Sequence, residues 1–257
     1  MDSRTSMTAN TPSTPPSYAY GEPWGYVMSV VWALVAFIIS VFAAFGFMNY
    51  VLKIDLMKVM MDNPYDGVAL SSVTIVSSTV QVATLLLVVR IKKWPIARYL
   101  GLRMPSREEA IRAIGAMVVL IAVVETIVTV LGQSTVPTFQ LVAYRTAKAA
   151  GWLPMLFAAI VIFGPIAEEV MFRGFLYRGF VRRVGHEPFA IFVITIAWTA
   201  CHLQYDLQEM LQVFVMGLLF GAVRWWTGST ALTIMMHVLA NLWAMIETLI
   251  WIEWLKA

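Results

Sequence analysis

Two adjacent carboxylates and an arginine, Glu168, Glu169 and Arg173, interrupt an otherwise apolar run that opens at Trp152. A charge at bilayer depth costs about 2.5–3.5 kcal/mol even on the mildest scale, so such a group faces a partner or a water-filled cavity. On a helix, Glu169 and Arg173 stand four residues apart and can pair along one face. Glu168 is rotated from Glu169 by about 100° and is left for chemistry. Further along the chain, His202 closes Trp198-Thr199-Ala200-Cys201-His202, and His237 opens His237-Val238-Leu239-Ala240-Asn241. Four residues apart, His237 and Asn241 project from one helical face. A carboxylate with an imidazole can activate a water: Glu168 takes a proton, and His202 orients or shares it. A second imidazole and a carboxamide, His237 and Asn241, can donate to an oxyanion, an interaction worth about 3–4 kcal/mol in a transition state. These residue types suit hydrolysis of a peptide bond by an activated water.

The elements that must hold these groups are membrane helices. Of 257 residues, 60% are hydrophobic and only 13% charged, and the mean hydropathy is +0.76. A soluble protein carries about 25% charged residues. The pattern predicts an all-α, polytopic transmembrane bundle of about seven spans around a polar intramembrane cavity. The spans fall near residues 26–52, 68–89, 111–131, 152–184, 188–203, 207–226 and 231–254. Residues 1–24, rich in Ser, Thr and Pro, read as a disordered polar tail before a transmembrane domain over 25–257. The first apolar run is too long for a signal-peptide core. Residues 133–151 form a moderately polar connector that suits a short interfacial helix, and Pro165 is expected to kink the fourth span beside the glutamates. The lone cysteine, Cys201, excludes an intrachain disulfide. A net charge of +3, with basic residues at the ends of apolar spans, speaks against nucleic acid as a partner.

Orientation follows from the Lys/Arg bias of the loops. One side carries Arg4, the six residues from Arg90 to Arg107, Arg178, Arg182, Arg183 and Arg224; the other carries Lys53, Lys58, Arg145, Lys148 and Lys256. Eleven against five places the N-terminus in the cytoplasm. Glu168 and His202 each lie about 17 residues from the turn near Gly185, so on a hairpin they reach matching heights about 25 Å from it. His202 is nevertheless one turn from the following loop. Either that loop dips into the membrane or its helix tilts.

Taken together, Glu-Glu-x-x-x-Arg, aromatic-x-x-x-His and His-x-x-x-Asn on successive late helices resemble the CPBP (ABI) family. That family comprises type II CAAX prenyl endopeptidases and bacteriocin-processing or immunity proteins. The resemblance covers about residues 150–245. It implies a glutamate-dependent intramembrane endopeptidase, all-helical, with a cavity open to membrane and cytosol and no required cofactor. Glu168 would activate the water, His202 would assist it, His237 and Asn241 would form the oxyanion hole, and Glu169 with Arg173 would hold the site's shape. The substrate would be a membrane-associated peptide or protein, including a prenylated CAAX-type tail. The family's second motif usually begins with Phe, and Trp198 stands there in this chain, which implies altered packing around intact chemistry.

Other readings remain open on sequence alone. Glu169 with Arg173 reads as a structural ion pair, Glu168 as a gating or proton-carrying group, and His202 and His237 as satisfied core histidines. Glu168, His202 and His237 also make a two-His, one-carboxylate set of the kind that binds catalytic zinc, though His-Glu-x-x-His is absent. A proton-coupled transporter would use embedded ionisable groups too, but no inverted repeat is apparent. A non-catalytic immunity or substrate-binding protein would share the scaffold. Glu125 and Glu247 either line the cavity or bond a neighbouring helix; His186 reads as solvated. The short chain and lack of an organelle-targeting pattern suit a prokaryotic inner membrane.

Overall fold

The computed structural model describes residues 21–255. Apart from Gly21–Trp24, which form no regular element, the expected polar tail lies outside the described residues, within which the fold is helical without a strand. Six helices are long and apolar enough to cross a membrane: α1 (Tyr26–Val51), α3 (Gly67–Ile91), α5 (Arg107–Val130), α7 (Leu153–Phe180), α9 (Leu207–Thr227) and α10 (Thr230–Leu255). The chain is an integral, multi-pass membrane protein. Between these lie the short helices α2 (Leu56–Asp62), α4 (Ile96–Leu100) and α6 (Thr138–Ala149), the last where the polar connector was expected. The fourth span ends at Phe180 rather than near 184, because Val181 leaves helical geometry at φ −88° and ψ 84°.

The seventh apolar helix, α8 (Glu187–Ala200), has 14 residues. At 1.5 Å per residue it reaches about 21 Å, short of a hydrocarbon core of about 30 Å. It is therefore too short to cross such a core along its normal, and the loop 201–206 follows it. Both short loops around α9 are set by side-chain caps. Asp206 and Glu209 form a reciprocal capping box at its start, and Ser229 accepts from the Leu232 N–H at the start of α10.

The bundle has two polar ends. At one, Arg182 pairs with Glu22, Lys92 lies 4.6 Å over the Trp24 ring, and Arg103 Nε donates to the Thr227 carbonyl at 2.7 Å. Ser229 and Thr230 hydroxyls there donate to the carbonyls of Arg103 and Leu100, each at 2.6 Å. At the other end, the Gly67 N–H donates to Thr146 Oγ1 at 2.7 Å, and Lys148 pairs with Glu253 at 2.6 Å. Phe139 of α6 packs edge-on against Tyr205, with ring centroids 5.2 Å apart.

Helix α7 crosses the middle of the bundle and is wide-turned twice, with π-helical segments over Ala158–Phe163 and Val170–Leu176. Pro165 thus acts through hydrogen-bond register. The π turns leave carbonyls without helical partners, and other helices collect them. Arg173 O accepts from Arg224 Nε at 3.0 Å and from Thr230 Oγ1 at 3.3 Å. The Arg173 side chain is 2% exposed; its Nη1 bonds Glu169 Oε1 at 3.0 Å and its Nη2 bonds the Gly217 carbonyl at 3.2 Å. Its guanidinium carbon also sits 4.3 Å from the Trp198 ring centre, so one side chain ties α7, α8 and α9.

Close approach of α8 to α9 depends on Gly217 and Gly221, one turn apart on α9. A Cβ at Gly217 would lie 2.7 Å from Thr195 and 2.8 Å from Trp198; one at Gly221 would lie 2.6 Å from Ile191. By contrast, a Cβ at Gly115 would meet nothing within 4 Å.

Arg173→Ala strands a buried carboxylate and is expected to lower stability by about 3–5 kcal/mol. Arg173→Lys should recover only part of this, since an ammonium lacks the planar fork. Thermal unfolding in detergent reads both, and an unchanged melting curve for Arg173→Ala would remove the pair from its structural role. In the same assay Gly221→Leu is expected to cost about 1–3 kcal/mol by overpacking, with Gly115→Leu close to neutral.

Candidate active site

A cavity of about 310 Å³ runs into the bundle, and Glu168, His202, His237 and Asn241 all line it. Two helices, α7 and α10, and the loop after α8 bring them together from positions up to 73 residues apart in sequence. The Glu168 side chain is 33% exposed into this space, whereas its neighbour Glu169 is fully enclosed. One helical step of rotation therefore separates a carboxylate that faces the cavity from one that is enclosed.

Glu168 Oε2 accepts from Trp198 Nε1 at 2.6 Å, which fixes the carboxylate's direction. His202 Nε2 lies 3.9 Å from the same oxygen. The other ring nitrogen, Nδ1, stands 2.8 Å from the Trp198 carbonyl. A carbonyl only accepts, so Nδ1 carries a proton, and in the neutral tautomer this selects, Nε2 is an acceptor. Two acceptors thus face the cavity at a separation that one water can bridge, donating an O–H to each. His202 is held flat against Tyr205, with centroids 5.7 Å apart and planes 17° apart, and edge-on to Trp198.

His237 is tied to the buried pair. Its Nδ1 lies 3.1 Å from Glu169 Oε1, the oxygen that also receives Arg173. Nδ1 therefore donates, and His237 can donate at Nε2 as well only when it is an imidazolium. With that proton present, Glu168, Glu169, Arg173 and His237 sum to zero charge.

Asn241 owes its position to Pro165. The Gly164 N–H bonds back to Ala159 O across the wide turn. In that register the next carbonyl, Ile160 O, would take its bond from residue 165, and proline has no N–H to give. Asn241 Nδ2 fills the gap at 2.8 Å. Its second amide proton remains for a ligand.

The sequence motifs identify every one of these side chains, but not the wiring between them. Trp198 is more than packing, because its indole N–H is the donor to Glu168. The signal was present in the residue type, since a buried Trp N–H needs an acceptor. Arg224 and Thr230, which collect the Arg173 carbonyl, follow no motif. Glu125 and Glu247 both line the cavity; Glu125 is bonded across helices from Trp243 Nε1, and Glu247 is bonded from Thr135 Oγ1 of the connector before α6. His186, expected in solvent, bonds the Tyr26 hydroxyl at 2.8 Å. Cys201 Sγ is turned to the Ala197 carbonyl at 3.3 Å and away from a nucleophilic pairing with His202. Among the described residues no three His, Cys, Asp or Glu side chains are grouped to hold a metal ion.

Neither a curated protein nor a solved structure matches the chain. Residues 150–243 do match one family model, described as type II CAAX prenyl endopeptidase Rce1-like. Glu168, Glu169, Arg173, His202, His237 and Asn241 all fall inside that stretch. It is a family of membrane-embedded proteases, and it agrees with the resemblance carried by the three motifs. The part of this chain that builds the site is thus similar to the Rce1-like, type II CAAX prenyl endopeptidase family.

Proposed function

We propose that this protein is an intramembrane endopeptidase that hydrolyses a peptide bond of a membrane-anchored substrate with a glutamate-activated water. The observation that supports this best is the pair of acceptors, Glu168 Oε2 and His202 Nε2, held 3.9 Å apart in a cavity between the spanning helices. A water between them donates to both, which leaves an oxygen lone pair for the substrate carbonyl. As the carbon–oxygen bond forms, the water proton passes to Glu168, which then gives it to the leaving amine as the C–N bond breaks. The tetrahedral oxygen takes its hydrogen bonds from Asn241 Nδ2 and, with the ring doubly protonated, from His237 Nε2. Glu169 and Arg173 hold the imidazole of His237 in place and take no part in bond making. Every step uses groups of this chain and one water, without a cofactor.

The substrate class is a peptide or protein whose lipid or transmembrane anchor keeps it in the bilayer, a prenylated CAAX-type tail being one instance. The Lys/Arg excess of the loops at one end supports a cytoplasmic N-terminus in a prokaryotic inner membrane.

A panel of quenched-fluorescence lipidated peptides, offered to purified protein in detergent, tests the reading. Glu168→Gln is expected to abolish cleavage with an unchanged melting curve, and a chelator is expected to leave the native rate intact. Retained activity in the variant would sink the assigned base; loss with chelator, reversed by zinc, would promote metal-assisted hydrolysis. Absence of cleavage across the panel would favour a binding or immunity protein. Asn241→Ala is expected to lower turnover by roughly 10²–10³, and equal turnover would take Asn241 out of the oxyanion hole.

A further inference from the structure

The cavity extends past the catalytic groups, and its fixed charge is of one sign. Among the described residues that line it, Glu125, Glu168, Glu209 and Glu247 are acidic, and none is Lys or Arg. Glu209 is spent on the cap of α9, where it accepts from the Asp206 N–H. With Glu168 at the water, Glu125 and Glu247 remain. Each receives one neutral donor, Trp243 Nε1 and Thr135 Oγ1 respectively. Among the described residues neither is paired with a cation. A neutral donor fills one acceptor site of a carboxylate and leaves its charge uncompensated. Ionisable groups that face a cavity between spanning helices mark a substrate path, and walls of one sign concentrate ligands of the other.

Both carboxylates belong to one wall. Helix α10 turns His237, Asn241, Ala244 and Glu247 to the cavity, a single stripe at intervals of three or four residues. Trp243, one turn before Glu247, bonds Glu125 of α5 to the same stretch of α10. Glu247 stands six residues beyond Asn241, about 9 Å at 1.5 Å per residue. An extended peptide advances about 3.3 Å per residue, so Glu247 lies about two to three substrate residues from a carbonyl held at Asn241.

A separate observation on this wall points to a ligand. Gln140 of α6 lines the cavity and is only 4% exposed. One end of its carboxamide meets Thr248 Oγ1 at 3.0 Å, and the other end has no partner among the described residues. A buried amide left half satisfied calls for a bond from whatever fills the cavity. A peptide main chain offers both a donor and an acceptor for it. Glu125, Thr135, Gln140 and Glu247 all lie outside residues 150–243, so the matched family stretch does not supply this wall.

We infer that this wall is a specificity subsite for a basic residue. Glu125 and Glu247 receive a Lys or Arg side chain of the substrate two or three residues from the cleaved bond, and Gln140 holds the main chain beside it. Resting on the hydrolysis proposed above, this narrows the substrate class to membrane-anchored segments with a cation close to the cleaved bond. A lipidated tail and a transmembrane segment can both carry one.

The test uses the purified full-length chain in a neutral detergent. Lipidated peptides are made in pairs, Lys in one member and Gln in the other, with the Lys scanned through each position. Binding is read by fluorescence anisotropy on Glu168→Gln, which needs no turnover, and kcat/KM on the native protein. At one or two positions the Lys member is expected to bind about tenfold more tightly, an advantage that shrinks as salt is added. The double substitution Glu125→Gln with Glu247→Gln keeps both hydrogen-bond acceptors and is expected to abolish the difference within the pair. Equal binding of Lys and Gln members overturns the subsite, as does a preference that is the same at every position. So does a preference that survives the double substitution in protein with a native melting curve. If the double variant does not fold, the position and salt dependence seen on Glu168→Gln alone decide. Gln140→Met is expected to raise Kd for both members of each pair alike, and an unchanged Kd overturns its bond to the main chain. Charge-selective binding without cleavage of any peptide upholds the subsite and counts against hydrolysis; cleavage without charge preference does the reverse.

Discussion

Glu169 and Arg173 place a full carboxylate and a full guanidinium at bilayer depth with almost no exposed surface. Neither charge would survive there alone. Each is accepted because the other is 3.0 Å away and because further groups use up the remaining valences: His237 on the carboxylate, Gly217 O and the Trp198 face on the guanidinium. Such a pair contributes less to net stability than its contacts suggest, since desolvation offsets most of the attraction. What it supplies is uniqueness. The packing of α7, α8, α9 and α10 that satisfies both ions also sets the two imidazoles near Glu168 and Glu169.

The fold and the site differ in how far the sequence exposes them. Hydropathy runs locate six long helices and a seventh apolar one within a few residues, because each has to match the membrane by itself. Spacing of the glutamates, histidines and Asn241 identifies the polar constellation, because a helix converts four-residue intervals into shared faces. The bonds between those groups are another matter. That Asn241 reaches Ile160 O depends on a wide turn created by a proline five residues further along α7, and that Arg173 O is free for Arg224 depends on a second wide turn. A helical wheel assumes 3.6 residues per turn and hides both. Trp198 is a milder case: replacing the usual Phe adds an N–H, and the structure spends it on Glu168.

Irregularity in α7 and order in the site are the same fact. A straight helix satisfies all its own carbonyls and offers nothing for other helices to hold. Two π turns, flanking the glutamates on either side, release main-chain acceptors next to the chemistry, and side chains from α9 and α10 lock onto them. The groups around the cavity are therefore positioned by backbone atoms, which have far less freedom than long polar side chains would.

The short helix α8 has a consequence for the lipid. At about 21 Å against a core of about 30 Å, it leaves part of the protein's girdle too short for the acyl chains beside it. A bilayer meets such mismatch by thinning, at a fraction of a kcal/mol per Å. Thinning on that flank would bring head groups and their water toward the loop that carries His202, which makes the thickness of the host bilayer a variable in how wet the cavity is.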